Sequence, residues 1–382
     1  MNRVLFVIST PIEYSSSANM RNLALIKGLI ENDFEVDLLS DDYEPNSPYV
    51  DKELCEINFR RRYYLRRINK EKEETPQKSN AIITKLKQIA SKVLRMTSVY
   101  DSRKVLVKNV YNISIGEKYD YMVSSSDPKS SHLIALHLIQ NNPEIAKVWI
   151  QYWGDPFLTD INNTRIGFGW KKTKKEERKI LSHADKIVYV SPFTLKEQQQ
   201  IYSDLKDKMF FLPVPYYKEK LYKNNSSKSL GYFGDYYSRN RNIIPLYNCC
   251  KNNNYNITIM GDSDLKLDSD ENISILPRQS KKIVEEKEKG AGLLVCVCNN
   301  NGTQIPGKVY HYAATNKPIL LIVDGDNKEE LKKYFASFDR YYICDNDEDS
   351  INEAIKSIFK SKKSFLPLKC ISAKEIAKKI VE

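Results

Sequence analysis

The sequence predicts an α/β protein of two domains, each built on a parallel sheet. Its apolar runs are short and nearly continuous rather than alternating, as strands covered by helices on both faces require. They include residues 4–9 (VLFVIS) in the first half, and 293–298 (LLVCVC) and 319–323 (ILLIV) in the second. Segments with helical spacing of apolar residues separate them, giving strand-helix-strand order in both halves. At 382 residues, 41% of them hydrophobic, the chain exceeds the usual size of a single core.

The first half opens with the strand at 4–9, a helix at 18–30 (ANMRNLALIKGLI) and a second strand, FEVDLLS. The loop 10–17 (TPIEYSSS) then lies at the carboxyl end of the first strand, where open α/β sheets bind ligands. Ser15, Ser16 and Ser17 either line a sugar or phosphate pocket or form an ordinary turn and helix cap.

Residues 51–110 depart from this pattern as a basic insertion. They hold 16 Lys and Arg against 7 Asp and Glu, so they carry +9 of the chain's +11. Within them, 60–70 (RRRYYLRRINK) mixes aromatics with five arginines and a lysine. Ile82, Leu86, Ile89, Val93 and Met96 fall on one face of a helix whose other face carries Lys85, Lys92 and Arg95. A basic amphipathic helix beside a Tyr and Arg cluster suits an anionic membrane surface, at roughly 1 kcal/mol per basic residue, so the 60–103 region is the expected membrane contact. The alternative is that the apolar face packs on the first domain.

From Tyr119 the alternation resumes. YDYMVSSS is a strand, Asp127 and Pro128 start a helix, and VWIQYW is the next strand, ending in Trp153, Gly154, Asp155 and Pro156. A carboxylate just past a buried strand is placed for hydrogen bonds to a sugar or for electrostatic work on a reacting centre; a turn or helix cap is the other reading. His132 and His137 stand five residues apart, which is not metal-ligand spacing, and read as packing or surface residues. The charged run 171–178 reads as a solvated helix start. KIVYVS and FFLPVPY supply two more strands, the second stopped by Pro213 and Pro215.

The polar stretch 223–229 (KNNSSKS) is the expected linker, giving domains 1–223 and 224–370, with a helix in 371–382 crossing back to the first. The second half repeats the logic of the first: LGYFGDYYSRNRNIIPLYNCC is strand, loop and helix, ITIMGDSD strand and loop, and ISILPRQ leads to a helix at 280–289. The 293–323 unit follows, its loop carrying Gly302 and Pro306. Free backbone N–H groups there and the positive end of the next helix favour an anion such as phosphate. Gly234 permits close approach at the end of its strand, and Arg239 and Arg241 sit where a loop becomes a helix. Two guanidiniums at such a junction clamp a diphosphate through bidentate hydrogen bonds, unless both simply face water.

Composition narrows the classes further. A net charge of +11 and pI near 9.0 point to an anionic partner, phosphate, nucleic acid or lipid headgroup. The seven cysteines form no regular framework and read as reduced thiols, Cys296 and Cys298 packing within a buried strand rather than holding a metal. No run approaches the roughly 18 apolar residues of a membrane span, and the first apolar run is too short for a signal peptide. The expected location is therefore cytoplasmic, peripherally bound at the inner face of the plasma membrane. No pair of acid and nucleophile carboxylates marks a glycoside hydrolase. No nucleic-acid-binding motif accompanies the basic and aromatic mix of RRRYYLRR, so nucleic acid is not an expected partner.

Four groups of residues carry a family resemblance: IPGKVYHYAATNKPIL at the second-half loop; GYFGDYYSRNRNIIPL; ILSHADKIVYVSPFT; and SSSDPKSSHLIALHL with WIQYWGDPF. In order and spacing they cover nearly the whole chain, which resembles the retaining family 4 glycosyltransferases of bacterial surface-polysaccharide assembly. The resemblance implies the GT-B fold, two Rossmann-like domains whose parallel sheets face a central cleft. It implies a sugar nucleotide, UDP- or GDP-sugar, in the second domain, a glycan or polyprenyl-linked glycan acceptor in the first, and no metal requirement. Arg241 and Lys308 stand at the positions of the basic residues that neutralise the departing diphosphate, as cations aimed at developing negative charge do. The family's two glutamates fall at Thr303 and His311, neither a carboxylate, and its first-loop glycine pair is replaced by Ser15, Ser16 and Ser17.

On this reading Gly234, Arg239, Arg241, Gly302, Thr303, Gln304 and Lys308 bind the donor and His311 its ribose. Asp127, Asp155 and the serine loop hold the acceptor or reacting sugar, and Asp155, Arg241 and Lys308 act in catalysis. Two alternatives stay open beside it: a catalytically silent nucleotide-sugar or glycan-binding protein, prompted by the missing glutamates, and, further off, a basic nucleic-acid-binding protein, prompted by the net charge of +11.

Overall fold

The computed structural model describes residues 1–47, 49–51, 57–67, 98–162, 168–223 and 227–382. The amphipathic helix expected around Ile82 to Met96 lies outside them. The described chain divides into two compact units, Met1–Pro213 with Ile376–Glu382, and Val214–Glu375.

The first unit is a seven-stranded, wholly parallel sheet. Its strands are β1 (Arg3–Val7), β2 (Glu35–Ser40), β3 (Arg61–Tyr64), β4 (Tyr119–Ser125), β5 (Ala146–Trp153), β6 (Lys186–Tyr189) and β7 (Met209–Phe211), in the order β3-β2-β1-β4-β5-β6-β7. Central strands such as β1 and β5 are buried on both faces, which is why they read as continuous apolar runs. The helices are α1 (Ser17–Glu31), α2 (Ser130–Asn141), α3 (Phe168–Ser182) and α4 (Pro192–Ile201), with a 3-10 helix at Ser102–Asn112.

The basic insertion adds β3 to the edge of this sheet, and five of its described arginines are paired with carboxylates. Arg60 pairs with the fully buried Asp37 of β2, with Nε 2.9 Å and Nη2 2.5 Å from the carboxylate. Arg61 pairs with Glu117 at 2.9 Å, Arg62 with the buried Glu13 at 2.6 Å, and Arg66 and Arg103 both with the buried Asp41 at 2.9 and 2.7 Å. A buried carboxylate without a cation is costly, so these arginines stabilise the sheet edge as well as carrying charge.

The second unit is a six-stranded parallel sheet of β8 (Leu230–Phe233), β9 (Ile257–Met260), β10 (Ile273–Leu276), β11 (Leu293–Val297), β12 (Ile319–Val323) and β13 (Tyr342–Asp345), in the order β10-β9-β8-β11-β12-β13. Its helices are α5 (Ile244–Asn252), α6 (Lys281–Gly290), α7 (Gly307–Tyr312), α8 (Lys328–Ala336) and α9 (Glu348–Lys360). Cys296 and Cys298 are buried and unbridged, as are Cys249, Cys250 and Cys344. Burial pushes the Cys298 thiol up to about 12, so it behaves as a small apolar group.

The division falls at Pro213 and Val214, ahead of the 223/224 boundary read from KNNSSKS. The intervening segment is tied into the second unit: Tyr216 bridges Ser372, Lys220 bridges Thr315, and Tyr222 and Asn316 exchange two hydrogen bonds of 2.9 Å. A last helix, α10 (Ala373–Val381), brings Ile376, Ala377 and Ile380 to full burial, and Lys186 caps its final carbonyls at Ile380, 3.0 Å, and Lys379, 3.3 Å.

Candidate functional site

Each sheet reverses its strand order once, between β1 and β4 in the first unit and between β8 and β11 in the second. Crevices at the carboxyl ends of strands flanking such a reversal are where open α/β sheets bind ligands. The candidate residues collect at both.

In the second unit, the loops after β8 and β11 are stitched together. Asn300 N donates to Asn240 O at 2.9 Å and Asn301 Nδ2 to Arg239 O at 2.6 Å. Arg241 spans the same junction, its Nη1 donating to Asp235 O at 2.6 Å and its Nη2 to Asn299 Oδ1 at 2.9 Å, while its buried Nε has no hydrogen-bond partner. Asn299 passes the link on through Nδ2 to Gln304 O at 3.0 Å, and Gln304 Oε1 accepts from Thr303 N at 3.2 Å. Arg241 therefore sets the shape of the loop that carries Gly302, Thr303 and Gln304. Arg239 is exposed on the same loop junction. The crowded glycine here is Gly261, just past β9, on which a Cβ would strike Gly234 O at the end of β8, whereas one on Gly234 would meet only Arg241 Nη1 at 3.9 Å.

Lys308, in the first turn of α7, donates to Glu288 Oε1 at 2.8 Å. Glu288 is buried at the end of α6 and also receives Lys220, at 3.4 Å. Burial works to raise this carboxyl, but Lys308 and Lys220 outweigh it and hold it below the usual range. Lys220 is shared with Glu285 at 2.9 Å, so the two lysines are matched by two carboxylates beside the loop. His311 lies on α7, half-buried, one turn beyond Lys308. Sequence reasoning missed Glu288 and Asn299, since neither spacing nor composition marks them.

In the first unit, Ser16 Oγ caps α1 by accepting from Asn19 N at 3.1 Å, and Asn19 Nδ2 closes the preceding turn on Pro11 O and Tyr14 O. Ser15 and Ser17 are exposed beside it. The serines before Asp127 are internal connectors: Ser124 bonds His132 and Trp149, Ser125 bonds Asn22, and Ser126 accepts from Gly154 N at 3.1 Å. His132 is buried against the Trp153 ring, centroids 4.0 Å apart, and is held neutral by burial and then by Lys129 and Arg21.

Asp127, Asp155 and Asp160 gather around Lys129. Its Nζ lies 2.6 Å from Asp127 Oδ1 and 2.7 Å from Asp160 Oδ2. Burial disfavours this ammonium, but Asp127, Asp160 and Asp155 keep it protonated. Asp155 makes no hydrogen bond to a described side chain, and burial, then the Asp127 charge, pushes its carboxyl up to about 7. Beside it, Glu177 accepts from Phe157 N at 2.6 Å, Leu158 N at 3.0 Å and Tyr202 OH at 2.8 Å, fixing the 155–160 loop from α3. Arg21 of α1 reaches Ser126 O and lies over the Tyr152 ring, 5.3 Å from its centroid. A Cβ on Gly154 would fall on this guanidinium, which is why glycine precedes Asp155. Among the described residues, no group of His, Cys, Asp and Glu forms a metal cluster. Lys129, Arg21 and Asp160 are the residues that sequence reasoning did not single out here.

This architecture, two Rossmann-like parallel-sheet domains along one chain, is of the GT-B type. Solved structures match it along its whole length. AviGT4, a glycosyltransferase involved in avilamycin A biosynthesis, has 12% identity and TM-score 0.53, over 100% of this chain and 96% of its own. A glycosyltransferase from Rickettsia africae ESF-5 has 11% identity and TM-score 0.54, over 100% and 92%. The UDP-GlcNAc 2-epimerase from Methanocaldococcus jannaschii has 11% identity and TM-score 0.52, over 99% and 98%. No protein-family model and no curated protein matches the chain.

Proposed function

We propose that this protein is a glycosyltransferase that moves a sugar, with retention, from a UDP- or GDP-sugar to a glycan or lipid-linked glycan acceptor in cell-surface polysaccharide assembly. The second unit takes the donor without a metal. Lys308 and the Gly302, Thr303 and Gln304 loop face the diphosphate, Arg241 holds that loop and adds its charge, and His311 bonds the ribose. As the anomeric C–O bond breaks, negative charge grows on the departing diphosphate, where fixed cations stabilise it most. In the first unit Asp155 and Asp127 orient the acceptor hydroxyl, whose proton leaves with the diphosphate as the new glycosidic bond forms. The protein works at the inner face of the plasma membrane, where a lipid-linked acceptor is held. One observation supports this reading above the others: the basic residues and the loop they shape meet at the strand-order reversal of the second sheet.

A thermal-shift titration against UDP, GDP, CMP and ADP tests it. UDP or GDP is expected to raise the melting temperature, by the equivalent of about 2.7 kcal/mol at a hundredfold excess over Kd. Lys308→Ala is expected to remove most of that shift while leaving the unliganded melting close to wild type, since Glu288 keeps Lys220. No shift with any nucleotide would remove the donor site. The epimerase among the fold neighbours supports a second reading, isomerisation of the sugar nucleotide. A changed sugar nucleotide formed without acceptor would favour it over transfer.

A further inference from the structure

The first unit carries two kinds of positive charge. The arginines at 60–66 and Arg103 sit on buried or half-buried carboxylates. The lysines of the 3-10 helix and of α3 do not. Lys104, Lys108, Lys171, Lys172, Lys175 and Lys179 are exposed and make no ion pair with a described residue. Leaving such charges without counter-charge is unfavourable for the isolated protein, and it marks a surface that meets an anion.

The elements that carry these lysines are neighbours. Helix α2 packs against both the 3-10 helix and α3. The two flanking elements are linked across it: Tyr100, under the Lys104 ammonium at 5.3 Å, donates to Glu176 Oε2 of α3 at 3.3 Å, and Tyr111 bonds His137 of α2 at 2.7 Å. Large apolar side chains stand exposed among the lysines: Trp170 at 44%, Val105 at 66% and Tyr111 at 57%. The other two tryptophans, Trp149 and Trp153, are buried. Exposed Trp, Tyr and Val beside lysine is the composition of a surface that enters the headgroup layer of a bilayer. Nucleic acid fits less well. Base and phosphate recognition favours the bidentate fork of arginine, but the arginine within these segments, Arg178, has its fork on Asp204 at 2.9 and 2.7 Å, and an exposed valine offers no stacking plane.

We infer that the face from Lys104 to Tyr111 and from Trp170 to Lys179 docks the protein on an anionic lipid bilayer. The lysines contact headgroup phosphates, and Trp170, Val105 and Tyr111 enter the interfacial layer. This places the membrane contact on described helices rather than on the paired arginines of 60–66. It deepens the membrane part of the proposed function and stands apart from the transfer reaction.

The test is co-sedimentation of the full chain with vesicles of phosphatidylcholine containing phosphatidylglycerol, against pure phosphatidylcholine, with tryptophan emission recorded in parallel. Binding to the anionic vesicles, weakened by salt, with a blue shift that vanishes in Trp170→Ala, is the expected result. Lys171→Ser, Lys172→Ser, Lys175→Ser and Lys179→Ser together should weaken it by more than about a hundredfold, at about fivefold per lysine. All four positions are exposed, so an unchanged melting temperature and an unchanged nucleotide shift confirm that fold and donor site are intact in the variant. Equal binding to both vesicle types, wild-type affinity in the lysine variant, or tighter binding to an oligonucleotide without a Trp170 shift would each overturn the assignment.

Discussion

At Asp155, burial and the neighbouring Asp127 charge act in the same direction, and the carboxyl titrates at about 7 instead of the ordinary 3.8. Its folded-state pKa lies above its unfolded value, so between about pH 4 and pH 7 the native state binds more protons than the unfolded chain. Stability from this group therefore falls as pH rises through that window and stays low above it. Asp155→Asn removes the dependence. The variant is expected to match wild type near pH 4 and to exceed it by on the order of 2 kcal/mol at pH 8, read from denaturant melts at both pH values. A constant difference across the range would mean that Asp155 is ionised in the native protein throughout. The position of Asp155 was legible, because a carboxylate after a continuous apolar run is placed at a strand end whatever the rest of the fold does. Lys129 and Arg21 were not legible: what makes them notable is burial beside three carboxylates or a glycine, and that is decided by residues far away in sequence.

Elements were read best where local pattern and tertiary burial agree. The strands at 293–298 and 319–323 are near-continuous apolar runs, and both are central strands covered on two sides. Edge strand β3 was read as a basic cluster because its residues are Arg and Tyr, and only pairing with Asp37, Glu13 and Asp41 turns that sequence into sheet. The serine loop shows an element boundary in which sequence left two readings standing. Ser16 is the N-cap of α1, with extended backbone and Oγ accepting from Asn19 N. Replacing it with alanine leaves a helix-terminal N–H without its acceptor, at a cost of about 1 kcal/mol. Ser16→Ala is therefore expected to lower stability by that amount while Ser15→Ala and Ser17→Ala stay within about 0.5 kcal/mol of wild type. Equal losses at all three positions in chemical denaturation would mean that the loop is held by something other than the cap.

At the scale of the whole chain, the two-domain reading rested on the repeated strand-helix order, which survives any error in single boundaries. The boundary itself moved because residues 216–222 pair with 314–316 and 372, contacts that composition does not reveal. The chain also returns: Ile376–Glu382 groups with the residues up to Pro213, although the preceding 160 or so residues form the other unit. Three of the returning side chains, Ile376, Ala377 and Ile380, are fully buried, so these seven residues complete the first unit's core rather than decorate it. Ile380→Ala removes buried methyl and methylene groups and leaves a cavity, at about 2–5 kcal/mol. Amide hydrogen exchange resolves where that loss falls, because each peptide reports the opening free energy of its own cooperative region. Faster exchange is expected in peptides from β5 and β6 of the first unit, with those from β11 and β12 unchanged. Equal acceleration in both sets would show that the two units open as one cooperative body, and the returning helix would then stabilise the whole chain instead of one domain.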